Sequence, residues 1–156
     1  MSHEYFLQIA IQLALENVQT AQGGPFGAVV VKDGEIIGVG QNRVTAQHDP
    51  TAHAEVQAIR DACQRLGTFQ LDNCIIYSSC EPCPMCLGAI YWARPQAVYF
   101  ACTKRDAAQI GFDDQFIYEE MILSVEERRI KMKQICLQEQ LVPFQEWEKS
   151  TQKTKY

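Results

Sequence analysis

Asn73-Cys74-Ile75-Ile76-Tyr77-Ser78-Ser79-Cys80-Glu81-Pro82-Cys83-Pro84-Met85-Cys86 opens the stretch that decides the fold. Residues 73–79 hold a buried apolar run and read as a strand. Pro84 suits the first turn of a helix, which continues through Leu87, Ile90 and Tyr91 to Arg94-Pro95, and residues 96–101 form the next strand. Two strands joined by one helix predict a right-handed parallel βαβ unit. Helices must then cover the sheet faces, so the expected class is α/β with a mixed sheet.

Working outward, Ser2 is a plausible N-cap, and Phe6, Ile9, Ala10, Leu13 and Ala14 follow at helical spacing. They predict a helix of about 18 residues that Gly23-Gly24-Pro25 breaks. Residues 26–31 and 35–40 flank the turn Lys32-Asp33-Gly34 and read as a β-hairpin. After a polar loop, Thr51 is expected to cap a helix carrying Val56, Ile59, Cys63 and Leu66 and ended by Gly67. Beyond Gly111, residues 113–123 read as helix, 132–137 as strand and 143–153 as a terminal helix. No linker divides the 156 residues, a length that fits one domain.

Hydrophobic residues at 47% and charged residues at 21% exclude a disordered or low-complexity chain. Fourteen basic against 19 acidic residues give a charge of −5, which withholds the overall pull toward nucleic acid or anionic membranes. No apolar run approaches the roughly 18 residues of a membrane span, and Met1-Ser2-His3-Glu4 has no basic leader region. The expectation is a water-soluble cytoplasmic protein with no membrane or nucleic-acid partner. Seven cysteines, three of them crowded into 80–86, favour a metal or redox site over a disulfide framework.

Two segments carry the chemistry: Asp49-Pro50-Thr51-Ala52-His53-Ala54-Glu55 and Cys80 to Cys86. Each lies where a predicted helix begins, and the free amides and positive dipole end there favour thiolates. One imidazole (His53) and two thiolates (Cys83 and Cys86) make an N/S₂ set suited to Zn²⁺, with the fourth position left for water. Glu55 is then the candidate proton carrier. His53 and Glu55, two apart, would diverge inside a helix but can converge at its entrance. The H-x-E plus P-C-x-x-C combination is the established signature of zinc deaminases.

Beyond those motifs, Gly23 to Ala28, Gly40-Gln41-Asn42, Ala89 to Arg94, Gly111 to Asp114 and Phe116 to Glu120 stand out, with Tyr156 at the end. On them the sequence resembles the cytidine-deaminase-like superfamily and, over essentially its whole length, its small bacterial guanine deaminases. The resemblance implies a three-layer α/β/α sandwich with a mixed five-stranded sheet, and a homodimer exchanging C-terminal segments. It implies one zinc per chain on His53, Cys83 and Cys86, and attack of water at C2 of guanine, with xanthine and ammonia as products. Glu55 would take the water proton and pass it to the ring and departing amine, and Asp114, the second catalytic residue, would contact the ring and 2-amino edge and help shuttle protons. Asn42 and the Ala54 backbone would hydrogen-bond the base, and Tyr156 of a partner copy would close the pocket. Phe26 and Trp92 are candidate aromatic walls for a planar base.

Other readings stand beside these. Cys83 and Cys86 could be a thioredoxin-like redox pair, or Cys80 could close a structural Cys₃His site. Glu55 could be a solvated first-turn acid, Asn42 and Asp113-Asp114 turn residues, Trp92 core and Tyr156 a frayed terminus. The zinc motifs are shared with tRNA adenosine deaminases and fit other small-base deaminases. A zinc-stabilised interaction domain is the non-enzymatic alternative.

Overall fold

The computed structural model describes residues 1–156 in two units, 1–114 and 115–156. In the first, α1 (His3–Gln19) starts where the Ser2 hydroxyl accepts the Tyr5 amide. Strands β1 (Gly27–Lys32) and β2 (Glu35–Gln41) form the expected hairpin. A short helix α2 (Val44–Gln47) precedes α3 (Ala54–Leu66), which Gly67 ends in the left-handed conformation. Strand β3 (Cys74–Cys80), helix α4 (Pro84–Ala93) and strand β4 (Ala97–Cys102) are the βαβ unit, and α5 (Lys104–Gln109) follows.

The sheet order is β2-β1-β3-β4. β1 is antiparallel to both neighbours, and β3 and β4 are parallel, so the sheet is mixed as expected. Alternation along β1 splits the core in two. Ala28 and Val30 face α3 and α4 with Cys74, Ile76 and Ile90, while Val29 and Val31 face α1 with Phe6 and Tyr77. Each fully buried Val or Ile contributes about 1.5–3 kcal/mol.

Two expectations need correction. The sheet has four strands, not five, because residues 132–137 form no ladder. Their alternation loses phase: Ile130 and Met132 share one face, but Ile135 and Leu137 fall on the other, so no single face can be buried along the stretch. Thr51 does not cap α3, because the helix begins at Ala54 and Thr51 lies two residues ahead of the cap position, where its N–H and hydroxyl donate to Asp49 Oδ1. His53 occupies the N-cap position instead.

Helix α3 approaches the sheet through small residues. Ala58 and Ala62 lie against Gly38, where a Cβ would come within 2.6 Å of the Ala58 carbonyl oxygen. A Cβ on Gly40 would overlap the Ala54 carbonyl oxygen and the Ala58 amide nitrogen. Gly40→Ala is therefore expected to cost about 1–3 kcal/mol by overpacking and to displace the first turn of α3. Thermal melting and a zinc-competition titration check this: both melting temperature and zinc affinity should fall.

The second unit holds α6 (Gln115–Met121), a 3₁₀ turn (Val125–Glu127) and α7 (Val142–Lys149). None of its residues is buried. No helix in the chain is long and apolar enough to cross a membrane.

Candidate metal centre and catalytic site

His53 and Cys83 are the N-cap residues of α3 and α4, both with extended backbone. Pro84 follows Cys83 at the first helical position, where its missing N–H costs nothing. Glu55 enters the first turn of α3 and Cys86 that of α4. Two helix entrances thus deliver four reactive side chains to one place. Because His53 precedes the helix proper, it and Glu55 converge despite their spacing of two.

His53 Nδ1 lies 3.5 Å from Cys83 Sγ and 3.4 Å from Cys86 Sγ. All three ligand atoms fall within 4.8 Å of one another. Zinc–nitrogen and zinc–sulfur bond lengths in a tetrahedron give an N···S edge of about 3.6 Å, so these separations fit that ion. Cys80 stands apart from the trio: its thiol donates toward the Thr103 carbonyl at 3.6 Å, and burial pushes its pKa up to about 12. The protein therefore offers three ligands.

The electrostatics suit cation binding. A hydrogen bond from Cys86, reinforced by His53, holds Cys83 down to about 4, a thiolate at neutral pH. Cys86 is pushed up by that same hydrogen bond and by burial, and His53 is raised by its bond to Cys83. Glu55 is 6% exposed and burial raises its pKa. Its Oε1 accepts from the Ser78 hydroxyl at 2.9 Å and its Oε2 lies 3.3 Å from Cys86 Sγ.

The remaining candidates are placed as follows. Asn42 is buried: its N–H donates to the Phe26 carbonyl, its carbonyl accepts from Asn17 Nδ2 at 2.9 Å, and its Oδ1 accepts from the Val44 amide. Ala54, also buried, is the first residue of α3, where the helix offers its N–H no carbonyl. Phe26 is half-buried and meets Phe112 edge to face at 5.0 Å. Asp114 is half-buried, its pKa raised by burial and by the charge of Cys83 nearby. Trp92, near the end of α4, is 63% exposed, and Tyr156 in the second unit is 68% exposed.

The sequence reading passed over Ser78 and Asn17. A serine beyond Ile76 on the inward face of an apolar strand is a signal that marks Ser78. Asn17 is fully buried on α1, its Nδ2 donating to the Gly24 and Asn42 carbonyls and its Oδ1 accepting from Arg43. It joins the loops that carry Phe26 and Asn42.

Residues 1–102 match the family model described as the cytidine and deoxycytidylate deaminase zinc-binding region. The chain belongs to this deaminase family. It is 60% identical over 156 residues, all of both chains, to guanine deaminase of Bacillus subtilis strain 168. The X-ray structure of the Bacillus subtilis enzyme superposes with a TM-score of 0.98 at 60% identity, covering 100% of this chain and 99% of that one. The tRNA-specific adenosine deaminase of Aquifex aeolicus is 44% identical over 101 residues, 65% of this chain and 66% of that one. A crystal structure in complex with 8-azaguanine matches at 33% identity and a TM-score of 0.69, over 72% of this chain and 65% of that one. As a member of this family the chain is a zinc-dependent hydrolase of C–N bonds, with His53, Cys83 and Cys86 as the candidate zinc ligands.

Proposed function

We propose that the chain deaminates guanine hydrolytically, giving xanthine and ammonia. One observation carries this: the likeness to the Bacillus subtilis guanine deaminase spans all 156 residues, whereas that to the Aquifex aeolicus tRNA deaminase spans 101. The charge of −5 also suits a small purine base better than tRNA. The test is ammonia release from guanine, guanosine, adenine, cytosine, cytidine and tRNA by purified protein. Release from guanine supports the assignment, and release from tRNA alone replaces it.

His53, Cys83 and Cys86 would hold the zinc ion, which would supply a Lewis acid able to lower the pKa of water toward about 7. Glu55 takes one proton of the attacking water as the C2–O bond forms and hands it to the ring nitrogen. On collapse it takes the second, from the hydroxyl now on C2, and hands it to the amine as the C2–N bond breaks, so that ammonia leaves and C2 becomes a carbonyl carbon. Asp114 contacts the ring and 2-amino edge. Asn42, its Oδ1 already engaged by Val44, offers its amide Nδ2 to an acceptor on the base, and the first-turn N–H of Ala54 offers another donor. Phe26 and Trp92 flank the planar ring.

The working form is a cytoplasmic homodimer in which 115–156 is exchanged, so that Tyr156 closes the partner's pocket. In support, 115–156 exposes Ile122, Ile130, Ile135, Leu137 and Phe144 and buries nothing, and apolar surface of this kind marks an interface. Seven free thiols suit a reducing compartment. Removing Gln152 to Tyr156 is expected to lower kcat/KM for guanine tenfold or more, roughly one hydrogen bond to substrate, with melting unchanged. Mixing that truncation with Glu55→Gln under conditions of subunit exchange should restore turnover. No restoration would place the tail in its own chain's site or outside any site.

A further inference from the structure

The Ser78 hydroxyl donates to Glu55 Oε1 at 2.9 Å, with Ser78 2% exposed. Besides Glu55's own amide, the other polar neighbour of this carboxyl is Cys86, 3.3 Å from Oε2. Cys86 is also a candidate zinc ligand, so its sulfur is committed to the metal in the loaded site and cannot be relied on to hold the carboxyl. Ser78 is then the side chain left to hold it.

The separation also shows where an untethered carboxylate would go. Carboxylate and thiolate ligands on one zinc ion stand about 3.6 Å apart, close to the Oε2···Sγ distance here. A small swing of Glu55 would therefore carry it into the fourth ligand position. Three protein ligands leave that position open for chemistry, and four close it. A carboxylate bound to the ion could no longer take a proton from water.

We propose that Ser78 is a positioning residue that keeps Glu55 beside the metal as a proton carrier and off it as a ligand. The proposal rests on the deaminase reading of the site and adds to it the device that separates these two uses of one carboxylate.

The test compares Ser78→Ala, Ser78→Val and Ser78→Thr with the wild type, loaded with zinc for kinetics and with cobalt(II) for visible spectra. Valine and threonine differ only in methyl against hydroxyl, which keeps the comparison sound if alanine leaves a disruptive void. Ser78→Ala and Ser78→Val should bind one metal per chain and lose roughly 30- to 100-fold in kcat, the scale of a misplaced catalytic group. KM should stay within about twofold, because base binding is untouched. Their cobalt spectra should shift as a carboxylate enters the fourth position. Ser78→Thr should match the wild type in both readouts, and in a Glu55→Gln background Ser78→Val should change neither. Wild-type kcat in Ser78→Val, or a cobalt spectrum identical to wild type, overturns the tether. If the wild type leaves guanine intact, the deaminase reading fails by itself, and the cobalt comparison still decides the role of Ser78.

Discussion

Glu55→Gln retains one zinc per chain and loses about three orders of magnitude in kcat, within the range of a general acid–base group. The substitution is close to isosteric and fits the polar surroundings. The amide oxygen can accept from Ser78 as Oε1 does now, and the amide nitrogen can donate toward Cys86, which suits a thiolate better than a carboxylate does. Fold and metal site are thus preserved while proton transfer is lost. Burial raises the Glu55 pKa above the ordinary carboxylate value in the metal-free fold. The contribution of such a group is fully present below its unfolded pKa and is lost as pH rises through its folded pKa. A glutamine has no ionised form, and the metal-free variant should melt no lower than the metal-free wild type at pH 7. Metal analysis, steady-state kinetics and melting check the prediction together, and wild-type kcat in the variant would remove Glu55 from the mechanism.

Cys86→Ser leaves the zinc site unable to hold its ion and abolishes turnover. Cys86 is fully buried, touches both His53 and Glu55, and supplies one of only two thiolates that neutralise the dication. The serine hydroxyl cannot replace a thiolate at this softness or at neutral pH. Zinc binding stabilises the folded state by mass action, by about 4 kcal/mol at a thousandfold excess over Kd. Chelation should therefore lower the melting temperature of the wild type by about 10 °C or more and leave Cys86→Ser unmoved. Equal responses of the two proteins to chelation would show that the metal is held elsewhere.

Both predictions draw on residues legible in the sequence because ligand chemistry is local. A proline-introduced C-x-x-C and an H-x-E each fix their own geometry at a helix entrance, so His53, Glu55, Cys83 and Cys86 could be read before any packing was known. The βαβ unit and hairpin were equally plain, since their apolar runs keep one period. Long-range decisions were not. Thr51 has the chemistry of a cap, but the helix starts two residues later than its cap would require, with His53 at the N-cap. The 132–137 strand needed a partner that alternation alone cannot supply. Helix α5 escaped notice although Thr103 and Asp106 form a capping box at its start, a spacing of three that was there to be read. The place of Ser78 on the inward face of its strand could be read, but only the fold reveals that it faces Glu55 and that Asn17 joins two loops.

The deaminase assignment meets its most direct test when zinc is titrated into metal-free protein in the presence of guanine and xanthine formation is followed by its ultraviolet absorbance. The initial rate should rise linearly to one zinc per chain and then stay flat, as a single three-ligand site requires. Zinc bound at one per chain with no xanthine formed, or xanthine formed at a rate indifferent to zinc, would contradict it.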